Sequence, residues 1–198
     1  MPPAPEGLVV EKVDRPLSQT TVIFGNRSLK RTDPDFYAAR VMNYILAGGG
    51  FESRLVKKIR EEKGLVYIAY SYFAAGLFTG HWRLFLQTQN KNANEAIAES
   101  FAEIKRIQEE GVTDQELAEA KAYITGSFAT RFTSSAGIID YIVAIERLGF
   151  PPDYADRYIG LIREVTKEQV LAAARKHITP ENAVISVVGN MEKAKIKY

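Results

Sequence analysis

The chain has 198 residues, enough for one domain of ordinary size, and its 46% hydrophobic and 25% charged residues exclude collagenous, low-complexity and wholly disordered classes. Its 26 basic and 24 acidic residues are interspersed and leave a net charge of +2, which provides no electrostatic basis for binding nucleic acid. There is no cysteine and there are only two histidines, so disulfide frameworks, thiol nucleophiles and cysteine-based metal sites are excluded.

The start of the chain predicts neither a membrane segment nor a secretion signal. The stretch MPPAPEGLVVEKVDRP has no basic n-region and no apolar h-region, and no run of 18 apolar residues follows it. We therefore expect a soluble protein with no membrane contact, and the lack of cysteine fits cytoplasm and periplasm equally. The prolines favour an extended lead-in or linker over residues 1–16, followed by a single domain over residues 17–198.

Capping and turn residues divide the rest of the chain into β and α segments. In chain order these are a strand at 19–24 ended by Gly25-Asn26, a helix at 34–46 capped by Asp33, a short helix from Ser53 to Gly64, strands at 65–73 and 81–89, a helix closed by Gly111, a helix with a capping box at Thr113/Glu116, two helices flanking Pro151-Pro152, a helix with a capping box at Thr166/Gln169, and a strand at 183–188. This order predicts an α+β fold, a two-layer sandwich with a largely antiparallel sheet covered on one face by helices.

A glycine triplet, Gly48 to Gly50, follows the helix at 34–46. Glycine adopts left-handed backbone angles without a steric penalty and lets other groups approach the chain closely. We expect a sharp and specific turn there. The triplet lacks the lysine and serine or threonine of a phosphate loop and follows a helix rather than a strand, which argues against nucleotide binding.

The sequence contains no known motif of a zinc hydrolase or a serine hydrolase. Neither His81 nor His177 belongs to an H-x-x-E-H or H-E-x-x-H pair, and a catalytic zinc normally needs three protein ligands. His177 fits the last turn of a helix, where a histidine interacts well with the helix dipole, and His81 fits the surface of a sheet or a turn. No G-x-S-x-G elbow supports a serine hydrolase. We predict no metal site and no catalytic residue in this chain.

The segment LAGGGFESRLVKKIREEKGLVYIAY combines a glycine-rich turn, an S-R-L helix start at Ser53 and the pattern R-E-x-x-G-L-x-Y from Arg60 to Tyr67, all preceded by Asn43 in a helix. It resembles the insulinase (pitrilysin) family of zinc metallopeptidases, which includes the mitochondrial processing peptidases and the core proteins of respiratory complexes. The resemblance extends more weakly over nearly the whole chain. In that family one domain carries the zinc motif H-x-x-E-H and a homologous domain or subunit lacks it, as this chain does.

The resemblance implies a substrate-binding role for Arg60 and Tyr67, which match an arginine and a tyrosine that the metal-free domain extends toward the zinc-side cleft. A guanidinium can donate two hydrogen bonds to peptide carbonyls, and a phenol can donate one to a developing oxyanion. Glu52 departs from the small polar residue common in relatives. Arg54 we assign to its helix or the adjoining loop rather than to substrate.

The leading hypothesis is a non-catalytic domain or subunit of a zinc-dependent metalloendopeptidase, inactive alone. It would complete the peptide-binding chamber of a partner domain that carries H-x-x-E-H and the zinc, while the chain itself holds no cofactor. An extended peptide would pair with an exposed strand edge. The alternative is a structural or assembly subunit of the same fold without a role in proteolysis, and a third reading is an independent hydrolase that uses histidine and carboxylates.

Overall fold

A computed structural model describes residues 5–198 of the chain. Within this range the strands are β1 (Val9–Asp14), β2 (Gln19–Ser28), β3 (Val66–Ala74), β4 (Gly80–Gln89) and β5 (Val184–Gly189). The helices are α1 (Phe36–Asn43), α2 (Arg54–Val56), α3 (Ala93–Glu110), α4 (Asp114–Gly126), α5 (Ser135–Leu148), α6 (Tyr154–Arg163), α7 (Lys167–His177) and α8 (Met191–Ala194). Two π-helical turns extend helices, Tyr44–Gly48 after α1 and Lys57–Glu62 after α2.

The five strands form one sheet in the order β1-β5-β2-β4-β3. The β1–β5 pair is parallel, and the other three pairs are antiparallel. Burial alternates along β2, β4 and β5, so one face of the sheet lies against the helices and the other is partly open to solvent. The predicted α+β class and largely antiparallel sheet are therefore confirmed, and β3 lies at an edge of the sheet.

A buried polar cluster fixes α1 against the edge of the sheet. The side-chain oxygen of Asn43 accepts hydrogen bonds from Trp82 Nε1 at 2.8 Å and Ser71 Oγ at 2.7 Å, and its amide nitrogen donates to the Ser71 carbonyl at 3.0 Å. All three side chains are buried, so each hydrogen bond forms without competition from water. Asn43 thereby ties the end of α1 to both β3 and β4.

Several predicted elements begin or end at other residues in the structure. Val9–Asp14 forms β1 inside the predicted lead-in, because it pairs with β5 from the far end of the chain and buries little of its own surface. β2 continues through Gly25-Asn26 to Ser28 instead of turning there. The first helix begins at Phe36 rather than at residue 34, because the Asp33 carboxylate accepts the Asp35 N–H at 2.9 Å in a turn that precedes the helix. Asp35 occupies the N-cap position, but its side chain forms no capping hydrogen bond.

The glycine turn after α1 depends on two different properties of glycine. Gly50 has a φ of +61°, the left-handed conformation that we predicted for this turn. Gly49 has a φ of −88° and needs space instead, because a Cβ there would lie 2.7 Å from the Tyr44 carbonyl oxygen. The turn is therefore restricted by sterics at one position and by backbone angle at the next.

We expect Gly49→Val to lower the free energy of unfolding by about 1–3 kcal/mol, because the added carbons overlap backbone that cannot move freely. Arg60→Ala, on the neighbouring π-helical turn, is the matched control and should fold with unchanged stability. Thermal and urea unfolding followed by circular dichroism measure both. An unchanged Gly49→Val together with an unfolded Arg60→Ala would reverse the division between structural and functional residues.

Candidate functional site

Arg60 and Tyr67, which sequence analysis paired, lie next to each other. Arg60 is in the π-helical turn after α2, and Tyr67 is the second residue of β3. The guanidinium carbon of Arg60 lies 5.9 Å from the centroid of the Tyr67 ring and 4.4 Å from that of the Phe51 ring. These distances place the cation over two aromatic faces, an arrangement that holds a guanidinium in place without neutralising it.

Tyr67 is directed outward by an irregularity in the edge strand. Val66 pairs with Thr88 and Ile68 with Gln87, so Tyr67 is an extra residue on β3 that has no partner on β4. A bulge of this kind bends the strand and re-aims a side chain. Tyr67 is 68% exposed, a high value for a tyrosine at the start of a strand. Its hydroxyl is thus available beside the free edge of the sheet.

Arg60 differs from the basic residues around it, each of which pairs with a carboxylate. Among the described residues no carboxylate lies within ion-pair distance of Arg60, although Glu61 and Glu62 follow it directly. Its hydrogen-bond donors are therefore available to a ligand. The neighbouring pairs are Lys57 with Glu52 at 2.9 Å, Lys58 with Glu62 at 2.9 Å, and Lys63 with Glu99 at 2.7 Å.

Phe51 is a site residue that sequence analysis did not single out. It lies in the 3₁₀ turn Gly50–Glu52 and is 56% exposed while its ring supports Arg60. An apolar residue directly after a left-handed glycine was the available signal. Glu52, the departure from the family pattern, pairs with Lys57, so its negative charge is partly neutralised beside the site.

Arg54 forms an ion pair that joins two helices, whereas sequence analysis assigned it to its own helix or the adjoining loop. Its Nε lies 2.5 Å from Oε1 of Glu116, and its Nη2 lies 2.6 Å from Oε2 of the same carboxylate and 3.0 Å from the Gly111 carbonyl. The bidentate pair joins α2 to the capping box of α4, in which Thr113 also donates to Glu116. Burial raises the pKa of Glu116, but hydrogen bonds from Arg54 and Thr113 outweigh it and lower the pKa to about 2.

Both histidines lie where they were predicted. His81 is near the start of β4, with burial and the charge of Arg83 lowering its pKa. His177 ends α7 and is buried, with its Nε2 2.9 Å from the Asp35 carboxylate.

One cluster in residues 5–198 has three side chains that could bind a metal ion. It consists of Asp33, Asp35 and His177, whose potential ligand atoms lie within 4.8 Å of one another. The Lys176 ammonium lies 2.6 Å from the same Asp35 oxygen, and its hydrogen bond lowers the pKa of Asp35, so a cation already occupies this carboxylate.

We expect no stoichiometric zinc on this chain after dialysis, because a divalent ion at Asp35 would have to displace the Lys176 ammonium from the carboxylate. Metal analysis by atomic emission checks this. One zinc per chain that is lost in His177→Ala, together with chelator-sensitive peptidase activity, would contradict the metal-free assignment.

No helix in residues 5–198 is long and apolar enough to cross a bilayer.

Comparison with known proteins identifies the family. Residues 1–124 match the family described as the peptidase M16 inactive domain. An uncharacterized zinc protease of Streptomyces coelicolor is 28% identical over 183 residues, 92% of this chain and 39% of that protein. The uncharacterized zinc protease YmxG of Bacillus subtilis is 30% identical over 178 residues, 87% of this chain and 42% of its own length.

Solved structures agree with this assignment. The crystal structure of a peptidase M16 inactive domain from Pseudomonas fluorescens superposes with a TM-score of 0.87 at 31% identity, over 95% of this chain and 45% of that one. A chain of complex III from Candida albicans has the same fold, with a TM-score of 0.79 at 18% identity over 98% of this chain and 48% of its own. This chain spans about 40% of the length of the curated relatives. Fold and sequence together show that the chain belongs to the peptidase M16 family, as an inactive domain of the zinc protease homologues.

Proposed function

We propose that this inactive domain completes the peptide-binding chamber of a zinc-dependent metalloendopeptidase, with Arg60 and Tyr67 orienting the scissile peptide. The observation that carries the proposal is the Arg60–Tyr67 pair at the bulge of β3, where a partly buried cation and an exposed phenol lie together beside an unpaired strand edge. The zinc and its H-x-x-E-H ligands would belong to a homologous partner domain, which activates water for attack on the peptide carbonyl.

The free edge of β3 suits an extended peptide. β3 pairs with β4 on one side, and within residues 5–198 no strand pairs with the other side. Backbone groups along such an edge can pair with an added strand and hold its peptide groups in register. A peptide on this edge would pass Tyr67 at the start of the strand. Arg60 would then donate to its carbonyl oxygens, and the Tyr67 hydroxyl to the oxygen on which negative charge develops.

One helix offers a surface for the partner domain. α5 exposes four apolar side chains, Ile138, Ile139, Ile142 and Val143, of which the last three are each 59% exposed. Contiguous apolar groups on a soluble domain mark an interaction surface. We assign this surface to the zinc-bearing domain, since the curated relatives extend well beyond the region that this chain matches.

The structural or assembly subunit is the second candidate. A relative in Helicobacter pylori, 27% identical over 186 residues, is named a non-peptidase homolog, so the inactive-domain fold does not by itself imply peptide handling. An unneutralised Arg60 and an exposed Tyr67 favour the peptidase reading, because a scaffold has no use for either property.

Complementation tests the proposal. The zinc-bearing domain, this chain and their mixture are assayed separately on a quenched fluorescent peptide library. We expect hydrolysis from the mixture only. Ile142→Asp places a charge on the α5 surface and should prevent association, so that both co-purification and hydrolysis are lost. Lys91→Asp, at an exposed position in another element, should retain both co-purification and hydrolysis. Hydrolysis by the zinc-bearing domain alone at the rate of the mixture would favour the structural subunit.

A further inference from the structure

A cavity of about 260 Å³ lies along β3 on the side of the helices, and Arg60 and Tyr67 are not among the residues that line it. It lies between the edge strand, α1 and α4. Its polar lining includes Arg40 and Asn43 from α1, Tyr44 from the following π-helical turn, Ser71 and Tyr72 from β3, and Tyr123 from α4. Tyr44 and Tyr123 contact each other, with ring centroids 4.9 Å apart.

Arg40 is a partly buried cation that forms no salt bridge within residues 5–198. In the part of the chain that the structure describes, its guanidinium forms no salt bridge, and its Nε is buried without a hydrogen-bond partner. Its guanidinium carbon lies 5.9 Å from the centroid of the Tyr158 ring. Burial lowers the pKa of Arg40, the direction expected when the charged form loses water and gains no partner.

The groups around Arg40 add positive charge. Arg131 and Arg31 both act on it electrostatically, and neither forms an ion pair with a carboxylate within residues 5–198. Arg31 donates to the Tyr154 hydroxyl at 2.5 Å and leaves its Nη1 buried without a partner. Burial raises the pKa of Tyr158, so this tyrosine supplies no negative charge to Arg40 at neutral pH.

An anion is the ligand that these observations call for, and a carboxylate suits the guanidinium best. The planar fork of an arginine matches the two oxygens of a carboxylate, and the pair is stronger where water is excluded. Alternate side chains of a strand added beside β3 point to the helix side of the sheet, where the cavity lies. A glutamate or aspartate on a bound peptide would therefore reach Arg40 from the open edge.

We propose that the Arg40 cavity is a specificity subsite for an acidic side chain of the peptide that pairs with β3. The inference rests on the proposed peptide-binding function and adds a substrate preference to it. Arg40 is then a specificity residue distant from the bond that is cleaved. The peptide would supply the negative charge that Arg40 lacks within residues 5–198.

Fluorescence anisotropy tests the subsite, with labelled decapeptides of one sequence that carry glutamate or glutamine at each position in turn. The peptides are titrated into this chain alone and into its chelator-treated complex with the zinc-bearing domain. We expect one position at which glutamate binds at least about tenfold more tightly than glutamine. Arg40→Gln should reduce that ratio to about one, Arg40→Lys should keep part of it, and Lys91→Gln should leave it unchanged.

Thermal unfolding of Arg40→Gln shows whether the variant is still folded when its glutamate preference is measured. Removing a partly buried charge that forms no salt bridge within residues 5–198 should leave the midpoint of thermal unfolding unchanged or raise it, so a loss of preference cannot be attributed to unfolding. Sodium acetate is the probe for a free carboxylate and should compete only at millimolar concentration.

Three outcomes would overturn the subsite. They are equal binding of the glutamate and glutamine peptides at every position, a preference that Arg40→Gln retains, and a preference that disappears in the complex because the partner fills the cavity. In each case hydrolysis by the wild-type mixture can still be measured, so failure of the subsite is distinguished from failure of the proposed function.

Discussion

Tyr67→Phe should lower kcat/KM of the reconstituted peptidase about 100-fold, mostly through kcat. Only the hydroxyl is removed, and the ring can still support Arg60 from 5.9 Å. A hydrogen bond that strengthens toward the tetrahedral intermediate contributes more to kcat than to ground-state binding, and loss of one such donor typically costs about 10²-fold. Initial rates over a range of substrate concentrations separate the two parameters.

Tyr70→Phe is the matched control, since Tyr70 lies on the same strand with its ring stacked on Phe85. It should retain the wild-type rate.

Arg60→Lys is a second probe, because lysine keeps the charge but loses the planar fork needed to contact two carbonyls. Both Tyr67→Phe and Arg60→Lys should co-purify with the partner and leave its zinc in place. Wild-type kinetics in both variants would remove the pair from the mechanism.

Glu116→Gln should destabilise the fold by about 1–2 kcal/mol at neutral pH, because it removes the partly buried carboxylate that Arg54 and Thr113 hold ionised. The pKa of Glu116 is lowered from 4.5 to about 2, so the wild-type protein has this stabilisation in full above pH 4.5 and loses it as the pH falls toward 2. Urea unfolding between pH 7 and pH 2 measures the effect. The variant should lack this component of the acid dependence.

Glu109→Gln provides the control for Glu116→Gln. Glu109 is exposed and lies 3.7 Å from Lys105, and such surface pairs contribute less than about 1 kcal/mol. The control should therefore follow the wild-type curve at every pH. Parallel acid curves for the wild type and Glu116→Gln would show that the Arg54–Glu116 pair does not carry the stabilisation.

Features that depend on neighbouring residues were predictable from the sequence. Both capping boxes form, with Thr113 accepting from the Glu116 N–H and Thr166 from the Gln169 N–H. Gly111 closes α3 with a φ of +73° as predicted. Strands β3 and β4 pair antiparallel because a short glycine-containing connection joins two β-rich runs.

Features that depend on distant residues were not predictable. β1 is defined by its pairing with β5, and its own residues show no alternation that would identify a strand. Glu116 was identified as a cap, but its ion pair with Arg54 joins residues 62 positions apart. The contact of Phe51 with Arg60 and the lack of a salt bridge at Arg40 within residues 5–198 likewise arise from tertiary packing, which periodicity and capping do not describe.

Site-specific photocrosslinking tests most directly whether a peptide passes the Arg60–Tyr67 pair. p-Benzoylphenylalanine replaces Tyr67 in one variant and Val184, which is 38% exposed on β5, in another. Each variant is combined with the zinc-bearing domain, hydrolysis is blocked with a chelator, and a labelled peptide substrate is added before irradiation. We predict a crosslink to the peptide from position 67 and none from position 184. A peptide that crosslinks from position 184 and not from position 67 would contradict the placement of substrate at the edge of β3.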